Sequence, residues 1–258
     1  MDLGLEGKVA IVTGGAAGIG KGITSCLARE GAAVVIGDVN LEAAEKTARE
    51  IGDHVEGMKL DVANRRMVES MVEAVIKKHG KIDILVNNAG ISRPMKFIDI
   101  EPDEWDQKFN INVKGVYLMT RAVLPHMIER RYGKIISIAS FVGKEGIPDF
   151  SHYCATKAAV LNLTVSLAKE YAGYNLNINA VNPGVVRTAL WNEDLLPKMG
   201  KEQGISPDEA FEKFCSSIPL GRPQTPEDIG NMVSYLASDL ARNMTGQAIN
   251  ITSGQLMH

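Results

Sequence analysis

Cysteine is scarce in this chain: Cys26, Cys154 and Cys215 stand far apart among 258 residues. Three scattered thiols make neither a disulfide framework nor a metal cluster, so a reducing cytoplasm is the expected setting. Aromatic residues are few, at 5%. No apolar run approaches the roughly 20 residues that a bilayer span requires. Acidic Asp2 and Glu6 precede the first apolar run, where a signal peptide would carry positive charge. Neither sign of charge dominates, since 28 Lys and Arg stand against 31 Asp and Glu. That balance offers nucleic acid or an anionic membrane no electrostatic attraction. The histidines are isolated, without metal-ligand spacing. The expected protein therefore has no nucleic-acid, membrane or metal partner.

What is present is apolar and regularly spaced. Apolar residues make up 45% and charged residues 23%, enough for a sizeable core in one domain. Strand-length apolar runs recur at 8–14, 32–38, 57–62, 82–90, 133–140, 177–184 and 246–254. Most are continuously apolar, as in strands buried on both faces of a parallel sheet. Helix-period stretches lie between them at 18–30, 41–51, 64–79, 103–130, 151–172 and 226–238. The alternation predicts an α/β fold: one domain, a doubly wound parallel sheet of about seven strands, helices on both faces. The segment 188–226 breaks the rhythm with glycines, prolines and short helical pieces. A long connection at the carboxyl end of a strand often serves as a substrate loop or lid.

The run "TGGAAGIG" (13–20) joins the first strand to the first helix. Gly14, Gly18 and Gly20 permit a tight turn and close approach to a phosphate, and the helix start offers free N–H groups. A glycine turn without a ligand would look the same, but the strand–turn–helix context favours a dinucleotide. The second strand ends at Asp38. A carboxylate there accepts from ribose hydroxyls and repels a 2′-phosphate, which favours NAD over NADP. Asp38 would alternatively cap the helix at 41–51. Asp61 and the turn "NNAG" (87–90) supply polar groups to the same crevice.

In "HYCATKAAV" (152–160), Tyr153 precedes Lys157 by one helical turn, so both side chains share a face. A free tyrosine with pKa about 10 is almost wholly protonated near neutrality. An ammonium beside it favours the phenolate, and Lys157 is expected to lower the Tyr153 pKa toward a working acid–base range. His152 neighbours Tyr153 but points about 100° away, which suits a solvated or interface histidine. Cys154 reads as a small packing residue.

Together these motifs resemble the short-chain dehydrogenase/reductase family. The matching pieces are "TGGAAGIG", Asp38, "DV" (61–62), "NNAG", "NINVKG" (110–115), Ser140, "YCATK" (153–157) and "NPGVVRT" (182–188), in family order across essentially the whole chain. The resemblance implies a Rossmann-type fold, a nicotinamide cofactor, hydride transfer between alcohol and carbonyl, and a homotetramer. Its catalytic tetrad falls on Asn112, Ser140, Tyr153 and Lys157. Ser140 would steady the substrate oxygen, and Asn112 would hold a water linking Lys157 to solvent. Cofactor contacts would come from Gly14, Ala17, Gly18, Ile19, Gly20, Asp38, Val39, Asp61, Val62, Asn88, Ala89 and Gly90. Tyr153, Lys157, Pro183, Gly184, Val186 and Thr188 would complete them. The chain departs from the family at Ser253-Gly254, where two glycines are frequent. It departs again at Gly22, which would weaken its helix or let another backbone come close.

Candidate substrate contacts are Ser140, Ile147, His152, Tyr153 and Trp191. Leu190, Leu195, Met199, Phe141, Val142 and Phe150 would form apolar walls, and Asn192 and Glu193 are possible polar contacts. Arg187 and Lys198 leave a phosphorylated substrate open. The expected reaction is NAD-dependent oxidation of a small diol, polyol or hydroxyketone, on analogy with relatives of that type. Alternatives are a 3-oxoacyl-thioester reductase and, in another class, a nucleotide-binding regulator without turnover.

Overall fold

A computed structural model describes residues 2–188 and 190–258. The side chains of Leu190, Glu193, Asp194, Lys198 and Glu202 lie outside the described set, and with them the wall and polar-contact roles expected of Leu190, Glu193 and Lys198.

The chain alternates strand and helix: β1 (Val9–Thr13), α1 (Gly18–Arg29), β2 (Ala33–Asp38), α2 (Leu41–Ile51), β3 (Val55–Lys59), α3 (Arg65–His79) and β4 (Ile84–Asn87). Next come α4 (Pro102–Phe109), a π turn (Asn110–Lys114), α5 (Gly115–Arg130), β5 (Gly133–Ile138), α6 (Ser151–Tyr171) and β6 (Leu176–Pro183). The last part holds α7 (Leu196–Gln203), α8 (Pro207–Ser216), α9 (Pro226–Ala237) and β7 (Ala248–Ile251). The strands form one parallel sheet in the order β3-β2-β1-β4-β5-β6-β7. Strand order reverses between β1 and β4, which opens a crevice at the carboxyl ends of those strands.

Successive strand residues serve two separate cores. Ala10, Val12, Val34 and Ile36 meet Ile23 and Leu27 of α1 and Ile229 and Val233 of α9. Val9, Ile11, Val35 and Leu85 meet Val68 and Val72 of α3 and Met119 and Val123 of α5. Both faces are covered, which is why the strands read as unbroken apolar runs. Among the described residues, no helix is long and apolar enough to cross a membrane.

Gly22 lets two helices touch. A Cβ there would lie 2.5 Å from the Pro226 side chain and 2.6 Å from its carbonyl, at the start of α9. Backbone cannot swing aside as a side chain does, so Gly22→Ala is expected to cost about 1–3 kcal/mol. The melting temperature should fall by roughly 3–10 °C. An unchanged melting curve by circular dichroism would show that the α1–α9 contact yields freely.

The stretch 103–130, expected as one helix, is divided by the π turn. Asn112 lies within that turn, and the extra backbone residue turns it inward. The segment 188–226 is more ordered than a loop. Its helices α7 and α8 enclose a small core of Val185, Leu196, Phe211, Cys215 and Ile218. Ser206, an N-cap with a full capping box on Glu209, starts α8.

Candidate active site

The strand ends and the first turn converge on a cavity of about 640 Å³, within the range that holds a small ligand or cofactor. The glycine loop forms one end. Gly14 has φ +62° and Gly18 φ +51°, a region that favours glycine. A Cβ on Gly20 would fall 2.0 Å from the Gly14 carbonyl oxygen, so only glycine lets α1 begin so close to the loop. The cap residue Ala17 offers no side-chain acceptor, and Gly18, Ile19 and Gly20 line the cavity. Their first-turn amides and the positive end of α1 suit a pyrophosphate.

Asp38 stands at the rim. Its Oδ2 accepts from Ala16 N at 3.3 Å and its Oδ1 from Asn40 N at 3.0 Å. The helix-cap role instead belongs to Asn40, whose Oδ1 accepts from Ala43 N at 3.0 Å. Asp38 is thus held across the turn from the glycine loop by backbone amides. Among the described lining residues the sole cation is Lys157. Val39, Asp61, Val62, Asn88, Ala89 and Gly90 continue the wall, and Pro183, Gly184, Val186 and Thr188 face them. Asp61 lies just past the end of β3 rather than in it, with Oδ1 accepting from Ala63 N at 2.9 Å.

Thr13 was not among the expected site residues, yet it fastens this end. Its Oγ1 accepts from Asn88 N and Ala89 N, both at 3.0 Å. Asn88 Nδ2 in turn donates to the Thr13 and Gly14 carbonyls at 2.9 and 3.0 Å. From α2, Thr47 Oγ1 donates to Ala16 O at 2.8 Å. A hydroxyl at the end of β1 was a readable signal for Thr13. Thr47 sits mid-helix, and nothing local marks it.

Ser140, Tyr153 and Lys157 line the other end. Ser140 follows β5, and its Oγ accepts from Val142 N at 3.4 Å. Tyr153 and Lys157 project from the first turns of α6, with the Lys157 ammonium 5.5 Å from the Tyr153 ring centre. Lys157 Nζ donates to Ile138 O at 2.7 Å. Burial dominates the titration of both. It pushes the Tyr153 phenol up to about 12, against the opposing pull of Ser140. It also brings Lys157 down to about 8. In the protein alone, burial therefore raises the Tyr153 pKa despite the neighbouring Lys157. Without cofactor, loss of hydration outweighs an ammonium at that distance.

Three candidates stand outside the cavity lining: Asn112, Ile147 and His152. Asn112 Oδ1 accepts from Ile91 N at 2.8 Å, and its Nδ2 donates to Ile91 O at 2.9 Å and Thr156 Oγ1 at 3.1 Å. Its amide therefore ties Ile91, just after the "NNAG" turn, to α6. His152 is neither solvated nor on the surface but fully buried, at 0% exposure. It faces the Glu104–Lys108 ion pair of α4, and burial lowers its pKa. Of the expected apolar walls, Trp191 lines the cavity, whereas Phe141, Val142 and Phe150 do not.

A model of the family described as short chain dehydrogenase matches residues 8–197. The 3-oxoacyl-acyl-carrier-protein reductase of Thermotoga maritima is 41% identical, over 97% of this chain and 98% of its own length. Galactitol 2-dehydrogenase of Agrobacterium fabrum is 38% identical, over 98% of this chain and 99% of its own. The crystal structure of 3-ketoacyl-(acyl-carrier-protein) reductase from Brucella melitensis, complexed with NADH, superposes with TM-score 0.88 at 37% identity. It covers 98% of this chain and all of its own.

Proposed function

The chain belongs to the short-chain dehydrogenase family, and from that premise we propose that it interconverts a small uncharged secondary alcohol and its ketone, using NAD. The observation that carries this reading is the placement of Ser140, Tyr153 and Lys157 together at one end of the cleft, opposite the glycine loop and Asp38. Family members are oxidoreductases that use a nicotinamide cofactor. A cradle in which Gly14, Gly18 and Gly20 leave no side chain in the way fits its pyrophosphate. Asp38 fits an unphosphorylated ribose.

When bound, the nicotinamide accepts or supplies the hydride. The protein's own residues manage the proton and the pose. In reduction, protonated Tyr153 gives its phenolic proton to the substrate oxygen as negative charge develops there. The Ser140 hydroxyl donates to the same oxygen and fixes its position. Oxidation runs these transfers backwards, and Tyr153 must then take a proton. Lys157 supports the phenolate, and Asn112 holds the neighbouring turn and α6 in register.

Two features favour a small, uncharged substrate. Trp191 walls the cavity, braced against Phe211 and Phe214 with ring centres 5.5 and 5.0 Å away. Arg187, expected as a possible phosphate contact, is already engaged by Asp208 and Asn192. The second reading, a 3-oxoacyl-thioester reductase, is favoured by the names of four relatives and one solved structure. One of them is complexed with NADH, so choosing NAD does not separate the two readings. A regulator without turnover is disfavoured by the presence of Asn112, Ser140, Tyr153 and Lys157. The homotetramer that the family resemblance implies would cover Tyr117 and Val165, which are exposed on α5 and α6.

The test follows absorbance at the NADH band with diols, polyols and simple secondary alcohols, and with a 3-oxoacyl thioester in reduction. Turnover of a small diol or polyol supports the proposal, and turnover of the thioester alone assigns the second reading. In the same assay Asp38→Ala should narrow the preference for NAD over NADP by about 10- to 100-fold. That is the loss of charge-assisted hydrogen bonds to the ribose. Unchanged discrimination would place cofactor choice elsewhere.

A further inference from the structure

Arg187 lies between Val186 and Thr188, two residues that line the cavity, but its own side chain turns toward the α7–α8 segment. Its Nε donates to Asn192 Oδ1 at 2.8 Å, and its second guanidinium nitrogen donates to Asp208 Oδ1 at 2.5 Å. The guanidinium carbon also lies 5.0 Å from the centre of the Phe211 ring. One planar group thus grips the turn that carries Trp191, the first turn of α8 and the aromatic ring against which Trp191 packs. A rigid fork that also stacks on an aromatic ring is particular to arginine.

The segment gripped in this way is a separate body. Its core of Val185, Leu196, Phe211, Cys215 and Ile218 is distinct from the two cores of the sheet. It is joined to the strand ends near Arg187 by the short bridge between Val186 and Gln224. A unit with its own small core depends on specific contacts to hold its place.

We propose that Arg187 is a positioning residue: it sets the place of Trp191 in the wall of the cleft, and so governs substrate affinity without touching substrate. The inference rests on the proposed function for its kinetic consequence alone. Position is read independently, by the fluorescence of Trp191. The test uses full-length protein carrying Trp105→Phe, so that Trp191 is the sole tryptophan.

In that background Arg187→Met should shift Trp191 emission to longer wavelength and raise its quenching by acrylamide at least twofold. KM for the alcohol or ketone should rise about three- to fivefold, the effect of losing an exposed ion pair and its hydrogen bonds. Meanwhile kcat should change less than threefold, and NADH affinity less than twofold. Asp208→Asn releases the grip from the other side, at an exposed position that folding tolerates, and should move the same readouts in the same direction. Arg187→Lys keeps the charge but lacks the fork, and should restore KM only in part. Unchanged Trp191 emission in both Arg187→Met and Asp208→Asn would overturn the proposal. So would NADH affinity falling as far as substrate affinity, since Arg187 would then act on the cofactor. If the parent turned over no alcohol or ketone, the proposed function would fail, while the fluorescence arm would still decide the position of Trp191.

Discussion

Tyr153→Phe is expected to lower kcat/KM by about 100- to 10,000-fold in both directions, the usual contribution of a positioned acid–base group. Binding of NADH, followed by its fluorescence, should stay within about threefold, because the ring and its packing remain. The phenol works from an unusual starting point. Burial holds it near 12 in the protein alone, so at neutral pH it is protonated and ready to act as an acid for reduction. Oxidation requires the phenolate, whose formation the charged Lys157 and a cationic nicotinamide ring favour. The oxidative kcat/KM should therefore climb with pH until Tyr153 is ionised in the cofactor complex. The reductive rate should hold steady at lower pH and decline through the same range. Retention of a tenth or more of the oxidative activity in Tyr153→Phe would assign the proton transfer to another group.

Lys157→Met should abolish turnover and yet make the protein more stable. The ammonium is buried, with 5% exposure, and desolvation lowers its pKa from 10.5 to about 8. A lysine whose folded pKa is depressed costs stability wherever it is charged in the unfolded chain. At pH 7 both states are charged, and the full cost applies, about 3 kcal/mol. Between pH 8 and 10.5 the folded state releases its proton first, so the unfolded state holds more protons and stability rises with pH. Above that range the cost is gone. Methionine fills nearly the same volume without charge, although the hydrogen bond to Ile138 O is lost. The expected net gain is about 2 kcal/mol at pH 7, fading by about pH 10. Denaturant unfolding at the two pH values measures it. A variant less stable than the parent at pH 7 would mean that Lys157 is better solvated, or better paired, than its burial indicates. Such a trade of stability for activity is common where a site holds a charge in a dry place.

The two buried titrating groups also show where sequence reasoning reaches its limit. Spacing alone put Tyr153 and Lys157 on one face of α6, because helix periodicity is a local rule. The sign of the Tyr153 shift was another matter. It depends on how much water β5, α6 and the strand ends exclude, and that sum is not local. His152 illustrates the same point. Helix geometry correctly turned it away from Tyr153, but only the packing of α4 against α6 made it a buried group. Thr47 is similar: a mid-helix threonine gives no sign that it will anchor the glycine loop until α2 is seen beside that loop.

The sequence by itself determined the parallel α/β architecture, the strand and helix order, the glycine cradle, Asp38 at the end of β2 and the paired Tyr153 and Lys157. Each rests on period, spacing or the conformational freedom of glycine, which a few neighbouring residues settle between them. Tertiary structure alone decided that Gly22 meets Pro226, that Asn112 ties two segments together and that α7 and α8 close over a core of their own with Val185 and Ile218. It also decided that Arg187 reaches Asn192 and Asp208. These depend on contacts between residues distant in the chain, whose partners are chosen by packing and burial rather than by local pattern.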